Sequence, residues 1–321
     1  MASGVFTGAK SAFGAVRDVQ GDQAQRPLIL CGEKDVLEPV RAILAEGAAP
    51  GSQALQIYAL RRLQQDDRKQ LAKAGAIVYG GRLLSSLDDA TRTDLEVVGG
   101  AKRPKLGLLE SLDMPSRAVT EATRIRGIEP DDLIPFRRGQ LPIERALREL
   151  ADRTDSSGPY LAANLPAFRP YVTDRLIEAA ARRNARLALM IFIPGADMPV
   201  LTATQMHLVL RIAACYGEEI SQQRAIELLG VLGAGFGFRQ LARSMLDFIP
   251  IAGWLLQSTI AYAGTRAVGT AAVQYFERGA VADVSNVRAF AEGARVELQQ
   301  LVDRVRSEGV DGLRERFREM R

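Results

Sequence analysis

RPLILCG, residues 26–32, is the stretch whose reading decides the fold. A short apolar run ending at a glycine suits a strand buried on both faces of a parallel sheet, which needs no polar alternation. Directly after it, residues 34–46 carry Val36, Val40, Ile43 and Leu44 at i, i+4, i+7 and i+8, an apolar stripe with the period of a helix. The same alternation continues outward. QALQIYAL, 53–60, reads as a second strand, QQDDRKQLAKA, 64–74, as a polar helix, and GAIVYGG, 75–81, as a third strand. SSLDDATRTDLEVVGG, 85–100, is a capped helix ended by Gly99, and KLGLLESLD, 105–113, a fourth strand. PSRAVTEATRIRG, 115–127, DDLIPF, 131–136, and PIERALRELADR, 142–153, add a helix, a last short strand and a further helix. Strands and helices alternating at these lengths predict a doubly wound α/β sheet over residues 26–155.

Outside that block the texture changes. Residues 1–25 are rich in Gly, Ala and Ser, with Val5, Phe6, Ala9, Phe13 and Val16 at roughly helical spacing. The apolar core is too short for a secretory signal, so the segment reads as an N-terminal arm or a membrane-surface helix. SSGPY, 156–160, with prolines at 159, 166 and 170, predicts a linker over 156–172. Beyond it everything reads as helix: 173–193, a break at PGADMP, 194–199, then 201–217, 221–246 and 249–277. Thr202 and Gln205 are spaced as a capping box for the second of these, and Gly217 closes it. The third starts from Ser221 as an N-cap. This predicts a helical domain over 173–282 and charged amphipathic helices over 283–321.

Composition narrows the function. At 321 residues the chain has length for two units, and 47% hydrophobic with 25% charged residues excludes bulk disorder. A net charge of +4 is too mild for a dedicated nucleic-acid binder, which concentrates its excess on one face. A single histidine, His207, excludes multi-His metal sites. Cys31 and Cys215, in apolar surroundings and without zinc or disulfide spacing, read as buried free thiols in a reducing compartment. No metal or cofactor is expected.

The first βα turn is where a nucleotide-binding domain places its phosphate loop. That loop needs glycines so that backbone N–H groups can wrap phosphate, a Lys for the β/γ oxygens and a hydroxyl for Mg²⁺. Aligned from Gly32, CGEKDVLEP, 31–39, puts Leu37 at the second glycine, Glu38 in the Lys place and Pro39 in the hydroxyl place. A carboxylate there repels phosphate. Lys34 is near in sequence but on the wrong part of the loop. At the fourth strand, ESLD, 110–113, keeps as Asp113 the acid of the guanine-reading NKxD pattern, with Glu110 and Ser111 replacing its Asn and Lys. Asp113 also reads as a helix cap ahead of Pro115. No DxxG follows the second strand. The candidates for nucleotide contact are therefore Gly32, Lys34 and Asp113. The element order with Gly32 and Asp113 resembles a Ras-like small GTPase domain stripped of its catalytic parts. The resemblance implies a degenerate, pseudo-GTPase module.

The helical half carries a second resemblance. ADMPVLTATQ, RIAACYG, ELLGVLGAGFG, IPIAGWLL and AYAGTRAVG, all within 194–277, are similar to the YcjF-like domain of unknown function. That bacterial family is joined or genetically linked to Era-type GTPases, with some members attached to the inner membrane. The resemblance implies a non-enzymatic partner of the cytoplasmic membrane or of a membrane-linked GTPase. The expected location is the cytoplasmic face of the inner membrane, or the cytoplasm.

Physically, this half looks built for close helix contact. Gly230, Gly233, Gly235 and Gly237 lie within about two turns, and Gly264 and Gly269 follow. Each glycine costs helix stability of about 1 kcal/mol relative to Ala, so the cluster needs a packing reason. Membrane helix pairs use small residues this way. A soluble or oligomeric helical hairpin in which the glycines make room for Phe236, Phe238 and Trp254 uses them equally well. The longest uncharged stretch, 248–265, has 18 residues, with Pro250, Gln257, Ser258, Thr259 and Tyr262 inside it. A span needs roughly 20 apolar residues, so a hairpin lying partly in the bilayer fits better than a clean crossing.

Overall fold

The computed structural model describes residues 24–59, 62–83, 87–111, 116–190, 198–219 and 253–278. Five strands form one sheet: β1 (Leu28–Gly32), β2 (Leu55–Ala59), β3 (Ala76–Leu83), β4 (Lys105–Ser111) and β5 (Leu133–Arg137). Their spatial order is β2-β1-β3-β4-β5 and every pairing is parallel. This is the doubly wound α/β sheet predicted from the alternation, and it is compatible with a Ras-like domain. Leu30 pairs in register with Ile57 on one side and Val78 on the other, and all five residues of β1 are buried, as the unalternating run requires.

The helices are α1 (Lys34–Ala45), α2 (Arg68–Leu71), α3 (Asp89–Gly100), α4 (Ser116–Ala122), α5 (Ile143–Arg153), α6 (Gly158–Asn164), α7 (Arg169–Met190), α8 (Met198–Cys215) and α9 (Gly253–Glu277). Two compact units result. One holds the described residues of 22–175 together with 214–217, and the other holds 176–213 and the described residues from 218 onward.

In the α/β unit, one sheet face is closed by a core including Ile29, Cys31, Ile77, Tyr79, Leu95 and Leu109. Asp94 of α3 is buried beneath it. Its carboxylate accepts from the Leu63 backbone N–H at 2.6 Å, the Tyr79 hydroxyl at 3.0 Å and Arg62 Nη1 at 3.3 Å. Those partners offset the cost of burying a charge and fasten the segment after β2 to α3. Burial first, and then the Asp94 charge, push the Cys31 thiol and the Tyr79 phenol well above their ordinary values. Cys31 is thus a protonated, inert core residue, and Cys215 is likewise buried and free.

Three local differences have physical causes. Over 64–74 the helix shrinks to a 3₁₀ turn at Gln65–Asp67 and the four residues of α2. Asp67 turns back to accept from the Gln64 N–H at 2.8 Å and the Tyr58 hydroxyl at 2.9 Å. The predicted helix over 115–127 is short as well: α4 ends at Ala122 and turns lead to Gly127, whose φ is +85°. Most changed is the predicted linker over 156–172, which is folded as α6, a 3₁₀ turn at Pro166–Phe168 and the start of α7. Pro159, Pro166 and Pro170 sit in the first turns, where a missing N–H costs nothing. Leu161, Leu165, Phe168 and Val172 are completely buried there. Proline here starts helices instead of spacing domains.

In the helical unit, α7 and α9 match the predicted helices closely. α8 runs over Met198–Cys215, so Thr202 and Gln205 lie inside the helix rather than at its start. Gly217, at φ +79°, ends it as predicted. One buried amide ties three helices: Asn184 of α7 donates Nδ2 to Thr265 Oγ1 of α9 at 2.8 Å and accepts at Oδ1 from Thr204 Oγ1 of α8 at 2.7 Å. On the same α7–α9 contact, Glu178 accepts from the Tyr262 hydroxyl and Arg266 Nη1, both at 2.8 Å, and from Arg182 Nε at 2.7 Å. Gly269 meets α7 so closely that a Cβ would lie 2.5 Å from Ile177 Cγ1. Residues 1–23, 220–252 and 279–321, with the predicted arm, the helix over 221–246 and the charged tail, lie outside the described residues.

Two outcomes follow from these contacts. Gly269→Val should destabilise by roughly 1–3 kcal/mol through overpacking. Adding Ile177→Ala should recover part of that loss in a denaturant double-mutant cycle, whereas purely additive changes would mean that the two residues do not touch. The Glu178 carboxyl, which burial alone would raise, is held below its ordinary value by hydrogen bonds from Arg182 and Tyr262. Stability from a depressed carboxylate is present above the unfolded value and is lost as pH falls through the folded one. Glu178→Gln should therefore lower the urea midpoint at pH 7, with the gap to wild type closing below about pH 4.

Candidate functional site at the carboxyl ends of β1 and β3

In a doubly wound sheet, ligands bind outside the carboxyl ends of the strands where the order reverses. Here that point lies between β1 and β3. β1 ends at Gly32 and α1 begins at Lys34, so Glu33 alone makes the turn. Gly32 has φ +106°, and a Cβ on it would lie 2.1 Å from the Gly80 carbonyl oxygen. The Glu33 backbone N–H donates to that oxygen at 2.7 Å. A phosphate loop would turn such an N–H toward its ligand; here it is spent on β3.

The crevice itself is filled. A Cβ on Gly80 would lie 2.6 Å from Leu37 Cγ, and Leu37 is 2% exposed. The residue that the alignment puts at the second glycine is therefore a core side chain in the first turn of α1. Glu38, in the Lys place, is held by Arg41 one turn on, with Nε donating to Oε2 at 2.8 Å. That hydrogen bond keeps the Glu38 carboxyl below its ordinary value. Lys34 is exposed on the first turn.

Charge closes the remaining space. Arg82, just past the two glycines of β3, donates Nε to Glu110 Oε2 at 3.0 Å and Nη2 to Asp35 Oδ2 at 3.1 Å. Its Nη1 lies 3.1 Å from Glu33 Oε2. Three carboxylates share one guanidinium at the mouth of α1, with Asp35 and Glu33 placed where acids favour the helix dipole. Among the described residues, an incoming phosphate would meet three carboxylates around a single guanidinium at this mouth.

Of the predicted nucleotide contacts, Gly32 is at the switch point but serves strand pairing, Lys34 is at its rim, and Asp113 lies outside the described residues. Glu110 belongs to the Arg82 cluster, while Ser111 is buried with its Oγ unpartnered among the described residues. The packing candidates divide in the same way. Gly269 makes the close helix contact described above, Gly264 is buried in α9, and Trp254 lies in the first turn of α9. Gly230, Gly233, Gly235 and Gly237 lie outside the described residues. Sequence reasoning missed Arg82, Glu33 and Asp35. The available signal was a lone cation directly after a double glycine at a strand end.

The described residues thus form a parallel α/β unit and a helical unit. Residues 161–308 match a family model described as Domain of unknown function (DUF697), consistent with the YcjF-like resemblance and running from α6 through α9. No curated protein and no solved structure matches the chain. Among the described residues no helix is long and apolar enough to cross a membrane, and no cluster of His, Cys, Asp or Glu could hold a metal ion.

Restoring letters should not restore the loop. Leu37→Gly with Glu38→Lys and Pro39→Ser should give no GTP hydrolysis above background, because one residue still separates strand from helix. It should also lose roughly 2–5 kcal/mol with the Leu37 side chain. Phosphate release in that triple variant would show a surviving GTPase site. Gly32→Ala, which sets a methyl against a carbonyl at positive φ, should cost at least about 2 kcal/mol in thermal unfolding.

Proposed function

We propose that this protein catalyses no reaction of its own. It joins a pseudo-GTPase docking module to a YcjF-like helical module that engages a membrane-linked partner at the cytoplasmic face of the bacterial inner membrane. The observation that carries this reading is the closed switch point. Among the described residues, a one-residue turn, Leu37 packed against Gly80 and three carboxylates on Arg82 speak against phosphate binding there. What persists is a rigid α/β scaffold, which suits contact with another protein. The DUF697 match and the resemblance to GTPase-linked bacterial proteins support placing that partner among active, membrane-linked GTPases.

Titration of the full chain with GTP and Mg²⁺ should show no saturable binding below about 1 mM, a standard free energy of only about −4 kcal/mol. Saturation at micromolar GTP would replace this reading with a noncanonical GTP-binding protein. In cell fractionation the protein should pellet with membranes and resist a high-salt wash, because its small net charge leaves little purely electrostatic adhesion to screen. Gly233→Leu with Gly264→Leu should shift it toward the soluble fraction. Wild type found wholly soluble would make it a soluble oligomeric scaffold instead.

A further inference from the structure

We infer that the open edge of β2, with the groove between β2 and α1, is a docking surface for an extended segment that alternates apolar and acidic side chains on its groove-facing side. β2 is the outermost strand and pairs with β1 alone among the described residues. Its sequence, LQIYA, has none of the charges or prolines that normally protect an edge. Ile57 and Tyr58, at 47% and 37% exposure, are the exposed large hydrophobics of the described chain, and both are on this strand.

The two lie on opposite faces, as consecutive strand residues must, so they form no single apolar surface for a lipid. Tyr58 is engaged through its hydroxyl with Asp67. Ile57 instead borders a groove of about 290 Å³ lined by Leu30, Lys34, Leu37, Glu38, Arg41 and Ile57. The floor is aliphatic. The rim carries two cations against one carboxylate, which Arg41 already holds. A strand added to β2 would gain main-chain hydrogen bonds along the open edge. Every second side chain would enter the groove, apolar over Leu30 and Ile57, acidic toward Lys34. A second copy of this chain fits poorly, since β2 carries no acid and self-pairing sets like rims together.

This surface rests on reading the α/β unit as a docking module, and its test is independent of nucleotide. The probe is a fluorescein-labelled peptide, Glu-Thr-Ile-Thr-Ile-Thr-Glu, titrated into the full chain, with Lys-Thr-Ile-Thr-Ile-Thr-Lys as its control. The acidic peptide should saturate and bind about tenfold tighter than the lysine peptide at low salt. Lys34→Glu should reverse that order. Ile57→Thr, which keeps a β-branched residue on the strand, should weaken both about tenfold. Hydrogen exchange should slow at 55–59 when the acidic peptide binds. Equal binding of the two peptides, no saturation, or protection confined elsewhere would overturn the proposal. So would self-association abolished by Ile57→Thr, which would make a second copy the occupant. Micromolar GTP binding would remove the docking-module reading whatever the peptides do. Failure of the peptides in a chain that ignores GTP removes this surface alone.

Discussion

With a Cβ on Gly32 placed 2.1 Å from the Gly80 oxygen, β1 and β3 can come together at their carboxyl ends only because Gly32 carries no side chain, while the bare Gly80 makes room for Leu37 of α1. That close approach fixes the rest of the α/β unit. It lets the Glu33 N–H reach β3, starts α1 one residue after the strand, and drops Leu37 onto Gly80. A phosphate loop needs slack between strand and helix so that several N–H groups can turn toward one centre. Here the slack has been converted into packing. The short turn and the burial of Leu37 against Gly80 are one structural feature.

Electrostatics completes what packing begins. The amino end of α1 carries partial positive charge, and at such helix ends an anionic ligand is favoured. In this chain Asp35 and Glu33 meet it from within, and Arg82 then gathers those acids with Glu110 into one cluster. The mouth of the switch point is thereby occupied by the protein's own charges.

The helical unit is held by two different devices on one contact. Gly269 allows α9 to approach Ile177 of α7, the small-residue packing that its glycine content suggests. Asn184, Thr265 and Thr204 then link three helices through a buried hydrogen-bond chain, and Glu178 adds a charged clasp. Apolar packing between helices tolerates sliding; a buried amide with both ends satisfied does not. These polar residues fix the register of the three helices.

The amino-acid sequence by itself determined the alternation of strands and helices, the buried parallel character of β1, the absence of a phosphate-binding pattern and the helical nature of the second half. Each of these depends on residues close together in the chain: the run LILCG, the stripe through Val36 and Val40, Glu38 and Pro39 standing where Lys and a hydroxyl belong. Proline was misleading between 156 and 172, because the same residue ends one element or begins the next according to what packs behind it. Tertiary structure alone decided that Arg82 would meet Asp35 across 47 positions of sequence and Asn184 would meet Thr265 across 81. It alone decided that the Glu33 turn would be closed by β3. Local periodicity encodes which face of an element is apolar; which two faces meet depends on strand order, and strand order is a property of the whole sheet.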